Sequence, residues 1–214
     1  MLQLTAHGAV AASPPAALEE LRAEFCTRHC VRLRGFVEPR VLAKIQAQVA
    51  AAPFAPRAHG SISTELCMQP HAAVGLLHFL VNDPAVFRLV EQVSGVRGLS
   101  FFVGRVYRML AGSGHYDSWH TDVGNDHQIG MSVNLGAEPY EGGVFQIRRP
   151  DGEPASLPNT GPGDAILFAI ADGLEHRVTP MQGEAAKTAF AGWFGTKHDY
   201  RDVVPRAPRP RRSA

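Results

Sequence analysis

His120 and Asp122 stand two residues apart in Tyr116-Asp117-Ser118-Trp119-His120-Thr121-Asp122, and His176 follows far downstream in Glu175-His176-Arg177-Val178-Thr179-Pro180. On an extended strand, residues i and i+2 leave the same face, so an imidazole and a carboxylate are presented side by side. A second imidazole arriving from a later strand completes one triangular face of a metal and leaves the opposite positions open. Two His and one carboxylate arranged this way are the donor set of a non-heme Fe(II) centre. Taken alone, a His-x-Asp spacing is weak in a chain with 10 His and 20 acidic residues.

Its surroundings strengthen it. The second His lies just beyond an apolar run, Asp164-Ala165-Ile166-Leu167-Phe168-Ala169-Ile170. After it come Val178-Thr179-Pro180, a cation at Lys187 and an indole at Trp193.

In this ordered series the chain resembles the 2-oxoglutarate- and Fe(II)-dependent oxygenases, within them the prolyl-hydroxylase-like group. The matching residues are His120-Thr121-Asp122, Tyr140-Glu141-Gly142-Gly143-Val144-Phe145, Gly161-Pro162-Gly163-Asp164, His176 to Pro180, and Lys187 to Trp193, covering roughly Gly98 to Gly195. The resemblance implies His120, Asp122 and His176 as iron ligands and Fe(II), 2-oxoglutarate and O2 as cofactors. It implies oxidative decarboxylation to succinate and CO2, coupled to attack on an unactivated C–H. Asp122 occupies the place where halogenating relatives carry a small residue, so hydroxylation, desaturation or ring formation is expected rather than chlorination.

Lys187 is the expected partner of the cosubstrate's distal carboxylate. It falls slightly later after the second His than in most relatives, a shift attributed to an altered turn at Gln182-Gly183-Glu184. The tyrosine that relatives place just before the metal motif is absent. Tyr107, two positions before Met109 on the same strand face, is the substitute, and Asn134 matches a cosubstrate-facing position in the next strand. Trp193, Tyr116, His127 and Arg148 are the candidate substrate contacts, with Arg105 a further one; Trp119 is expected to point away from His120 and pack.

Composition narrows the alternatives. A chain of 214 residues, 45% hydrophobic and 19% charged, suits one globular domain. A net charge of +1 makes no electrostatic case for nucleic acid. No apolar run approaches the ~20 residues of a membrane span. The N-terminus lacks the basic start and apolar core of a secretory signal, so the cytoplasm is expected. Three Cys, at 26, 30 and 67, suggest no disulfide framework. The partner expected is a small-molecule or amino-acid substrate, with a peptide residue also open. Two other readings of the same triad are a Zn(II) hydrolase and a non-catalytic oxygen or metabolite sensor.

The elements that must position these residues form two parts of one domain spanning 1–204. Residues 13–97 read as helices around a strand: a helix capped by Ser13 with Leu18, Leu21 and Phe25 on one stripe, a strand from Cys30 to Val37, and a helix from about Pro39 to Ala51. Ala52 to Thr64 reads as a loop, and two helices follow, broken at Asn82-Asp83-Pro84. His71 and His78 are expected on the helix surface or packed, not as ligands. Residues 98–197 switch to short strands separated by Gly/Pro turns, which indicates a mainly β, double-sheet jelly roll, or double-stranded β-helix, with the N-terminal helices packed on one sheet. The basic, Pro-rich stretch 205–214 is expected to be disordered.

Overall fold

A computed structural model describes residues 2–11, 15–158 and 161–197. The expected Ser13 cap and the 205–214 tail lie outside them.

In chain order the elements are β1 (Leu2–Thr5), β2 (Gly8–Ala11), α1 (Pro15–Arg28), β3 (Cys30–Leu33), α2 (Pro39–Ala51), β4 (Phe54–His59), β5 (Ser63–Met68), α3 (Ala72–Val81), α4 (Pro84–Ser94) and β6 (Phe101–Met109). There follow β7 (Tyr116–His120), β8 (His127–Asn134), β9 (Glu141–Gly142), β10 (Phe145–Arg148), β11 (Ala155–Leu157), β12 (Ala165–Ala169), β13 (Glu175–Val178), β14 (Met181–Gln182) and β15 (Lys187–Gly195).

The helices form where pattern and caps agree. In α2, Pro39 sits in the first turn and Val41, Leu42, Ile45 and Val49 make one buried stripe; Ala52, ahead of Pro53, turns extended and ends it. In α4 the Asp83 side chain accepts from Ala85 N–H, and Gly95 adopts the left-handed conformation (φ 80°) that closes the C-terminus. His71 caps α3 by accepting from Ala73 N–H, and buried His78 accepts from Gly104 N–H through Nε2 at 3.0 Å. Both are structural.

Ten strands run in the order β11-β10-β13-β7-β5-β6-β15-β8-β12-β3, with β4 added on β5, as one antiparallel sheet that curls into a nearly closed jelly roll. Period-two alternation divides β15 between two environments. Phe190 and Phe194 enter the core shared with the helices, with Phe102, Val106, Ile129, Leu167, Leu77 and Val90. Lys187, Ala191 and Trp193 point the other way, into a cavity inside the roll. The helical layer thus stiffens the outside of the sheet whose inside builds the site.

Two segments differ from the sequence expectation. Ala52 to Thr64 is not a loop: most of it folds as the β4–β5 hairpin, paired in register from Phe54↔Met68 to His59↔Ser63. Its Ala, Pro, Gly and Ser composition hides it, because β4 is a half-exposed edge strand where Pro56 is tolerated. The hairpin is fastened to the core through Leu66↔Arg108, Cys67↔Tyr107, Ser63↔Asp117 and Thr64↔Tyr116. The N-terminal strands β1 and β2, not anticipated, pair as a hairpin that buries Leu2 and Leu4.

Candidate metal centre

β7 carries His120 at its last position, and β13 pairs with it so that His176 stands directly opposite His120. A bulge between His176 and Val178 shifts the register there. Asp122 lies just past the end of β7 and still turns back to the same side. His176 Nε2 is 3.3 Å from Asp122 Oδ2, His120 Nε2 is 3.8 Å from Asp122 Oδ1, and the two imidazole centroids are 4.3 Å apart. One donor atom from each of the three lies within 4.8 Å of the others, the geometry a single divalent ion requires.

The orientation of each donor has a local cause. His120 Nδ1 is 2.8 Å from Ser118 O; a carbonyl only accepts, so the proton sits on Nδ1 and the Nε2 lone pair faces the site. The His176 ring, 7% exposed, packs between Phe168 (4.7 Å) and Phe145 (5.9 Å). Trp193 Nε1 donates to Asp122 Oδ2 at 2.6 Å. Burial alone would raise the Asp122 carboxyl, but His176, the indole N–H and His120 outweigh it and hold it at about 2. The donor set is therefore anionic and oriented across the working pH range.

Lys187 enters the same cavity from β15. It is 3% exposed and its Nζ donates to Gly143 O at 2.7 Å, beneath the Tyr140 ring. Burial lowers the ammonium to about 8, with Asp117 pulling in the opposite direction. A buried cation held in that condition is a ready partner for a carboxylate. In the segment before it, β14 pairs with β9 and Gly183 takes a positive φ of 66°. Tyr107 also lines the cavity, buried beside Arg105, and burial raises its hydroxyl far above the usual range.

The remaining sequence candidates divide. Trp193 and Tyr116 line the cavity, Tyr116 at the mouth with 38% of its surface exposed. Asn134 does not line it; its Oδ1 accepts from Gly136 N–H at 2.8 Å and shapes the turn after β8. His127 stands behind the wall: it stacks on Trp193 (4.5 Å, 4°) and its Nδ1 donates to Asp122 O at 3.2 Å. Arg148 lies on the other side of the strand, over the Trp119 ring at 4.0 Å and paired with Glu175 at 3.3 Å. Trp119 faces away from His120, as its odd position on β7 dictates.

Three cavity residues escaped the sequence reading. Asp117 is 3.6 Å from His120 Nδ1, and burial raises its carboxyl against the pull of His120, His176 and Lys187. Glu65, 5% exposed, receives Arg105 Nε at 2.6 Å and Nη2 at 3.2 Å. Burial works against the Arg105 charge, but the Glu65 bond more than offsets it and raises the guanidinium. His59 Nε2 approaches Glu65 Oε1 at 3.6 Å, and burial together with Arg105 and Arg57 lowers its ring. His59 lies in the stretch that reads as a loop, and Glu65 lies just beyond it; the alternation Ser63, Glu65, Cys67 was the available signal for the latter.

Residues 104–195 match the model of the 2OG-Fe(II) oxygenase superfamily, a segment that contains all three donors, Lys187 and Trp193. Over this segment the chain resembles the 2OG-Fe(II) oxygenases. No curated protein matches the chain. Among solved structures, an oxidoreductase of the 2OG-Fe(II) oxygenase family from Burkholderia pseudomallei superposes with a TM-score of 0.67 at 18% identity, covering 88% of this chain and 95% of that one. A Trichoplax adhaerens prolyl hydroxylase, bound to a hypoxia inducible factor peptide, gives 0.64 at 13% identity over 91% and 99%. The epimerase SnoN, in complex with Fe3+, alpha ketoglutarate and nogalamycin RO, gives 0.62 at 16% identity over 92% and 93%. At these identities the oxygenase neighbours speak for the jelly-roll fold.

Proposed function

We propose that the chain is an Fe(II)- and 2-oxoglutarate-dependent dioxygenase that hydroxylates an unactivated C–H of a small molecule or amino acid, releasing succinate and CO2. The observation that carries this reading is the convergence, in one cavity of about 180 Å³, of the His120-Asp122-His176 face and the buried Lys187 ammonium. The residues fit both groups. Two imidazoles and a carboxylate suit Fe(II) and leave positions open, and a desolvated cation that, among the described residues, has no carboxylate bonded to it suits the far end of a dicarboxylate.

His120, Asp122 and His176 would hold the metal, which when bound with 2-oxoglutarate and O2 supplies the oxidising chemistry. The protein does the rest. Lys187, aligned by Gly143 O, fixes one end of the cosubstrate, with the Tyr107 hydroxyl on the neighbouring strand. Trp193 and His127 keep the Asp122 carboxylate from turning. Phe145, Phe168 and Met131 wall the site and exclude water, while Ile62 and Tyr116 frame the opening through which substrate enters.

One structural neighbour is bound to a peptide and another to nogalamycin RO, so the fold by itself does not choose between a peptide and a smaller substrate. The test is succinate production from 2-oxoglutarate with added Fe(II), in air and under argon. Succinate that forms only in air and only with iron supports the reading. Succinate formation independent of both would remove it.

A further inference from the structure

Glu65 and Arg105 are a charged pair in the cavity that neither the metal donors nor Lys187 use. They come from different strands, β5 and β6, and the fork geometry of two N–H groups on one carboxylate fixes the guanidinium plane. Arg105 lies within 5.9 Å of both the Tyr107 and Trp193 rings, and Trp193 in turn bonds Asp122. The guanidinium is thus one side chain removed from the metal donors. Among the described residues its third nitrogen, Nη1, has no protein partner, and 23% of the side chain remains open on the cavity side.

We infer that Arg105, held by Glu65, anchors the substrate, and that it takes an uncharged carbonyl oxygen of an amide-type compound rather than a carboxylate. This rests on the dioxygenase reading. The reason is charge. Glu65 already balances Arg105, Lys187 balances Asp122, and a divalent metal balances a dicarboxylate cosubstrate. Asp117 leaves the cavity neutral or one charge negative. A further carboxylate would be a surplus buried anion in either case, whereas a neutral carbonyl satisfies Nη1 without one. Glu65 is accordingly a positioning residue, with a second effect: it discriminates against acids.

The test uses the full chain loaded anaerobically with Fe(II) and 2-oxoglutarate, titrated calorimetrically with N-acetyl amino-acid methylamides, the matching N-acetyl amino acids and free amino acids. The amides are expected to bind at least about tenfold more tightly than either set, and Arg105→Met to lose about tenfold toward the amides with 2-oxoglutarate affinity unchanged. Glu65→Gln, which frees the guanidinium charge, should shift the preference toward the N-acetyl acids; a merely structural pair would leave the ratio fixed, and Arg105→Lys, retaining one donor, guards against loss of fold. Tighter binding of acids or free amino acids by the native protein, no binding of any set, or an unmoved ratio in Glu65→Gln would each overturn the inference. Failure of 2-oxoglutarate itself to bind would instead overturn the dioxygenase reading.

Discussion

Trp193 Nε1 reaches Asp122 Oδ2 over 2.6 Å, so the carboxylate of the candidate metal centre is gripped by the last inward-pointing side chain of β15. The same indole is stacked face to face on His127, which bonds the Asp122 carbonyl. One ligand is therefore fixed at both its side chain and its backbone. Trp193→Phe keeps the stack and removes the donor. Removing such a partner costs about 10–100-fold in metal affinity, which an anaerobic Fe(II) titration would detect; native affinity in this variant would show that the bond does not orient Asp122.

His176→Ala is expected to abolish iron-dependent turnover while leaving the protein folded. The ring is buried against Phe145 and Phe168, so truncation opens a small void and should cost about 2 kcal/mol. Thermal melting and circular dichroism check the fold, and a flat metal titration checks the loss. Turnover that persists with iron would remove His176 from the centre.

Lys187 gives two pH signatures. Only its ammonium form can pair with a carboxylate, and in the ligand-free protein that form is half lost at about pH 8. Affinity for 2-oxoglutarate should therefore fall toward tenfold per pH unit above that point, a slope absent in Lys187→Ala, whose affinity is low throughout. The stability sign is opposite to that of a salt-bridged lysine. The folded value lies below the ordinary 10.5, so the unfolded chain binds more protons between about 8 and 10.5. Ligand-free stability from this group should rise with pH across that window, by an amount on the order of 3 kcal/mol. Denaturation at pH 7.5 and 10 of native and Lys187→Met protein measures it; an identical change in both would exclude the lysine as its source.

Gly130 is a packing requirement of the metal site. A Cβ there would lie 2.0 Å from Phe168 Cζ, and Phe168 is one of the two rings that position His176. Gly130→Ala should cost about 1–3 kcal/mol and weaken metal binding through displacement of Phe168. A variant with lower melting temperature but native metal affinity would show that the ring relaxes away from His176.

What the chain's local order determined is the type of most helices and core strands and the identity of the candidate donors. The 3.6-residue stripe of Val41, Leu42, Ile45 and Val49 specifies α2, the Asp83-Pro84 pair starts α4, and period two on β15 sends Lys187 and Trp193 to one face. These signals lie within a few residues of one another and survive without any partner. Sheet pairing does not. Only the curled sheet set His176 opposite His120 through a bulge, seated Glu65 against Arg105 across two strands, and placed Arg148 on the outer face over Trp119. Asn134 illustrates the remainder: it lies on the right strand, but its amide is taken by the Gly136 N–H two residues on. Which neighbour a polar side chain bonds is decided by the register and packing of segments far apart in the chain, because each hydrogen bond there competes with alternatives that only the assembled core removes.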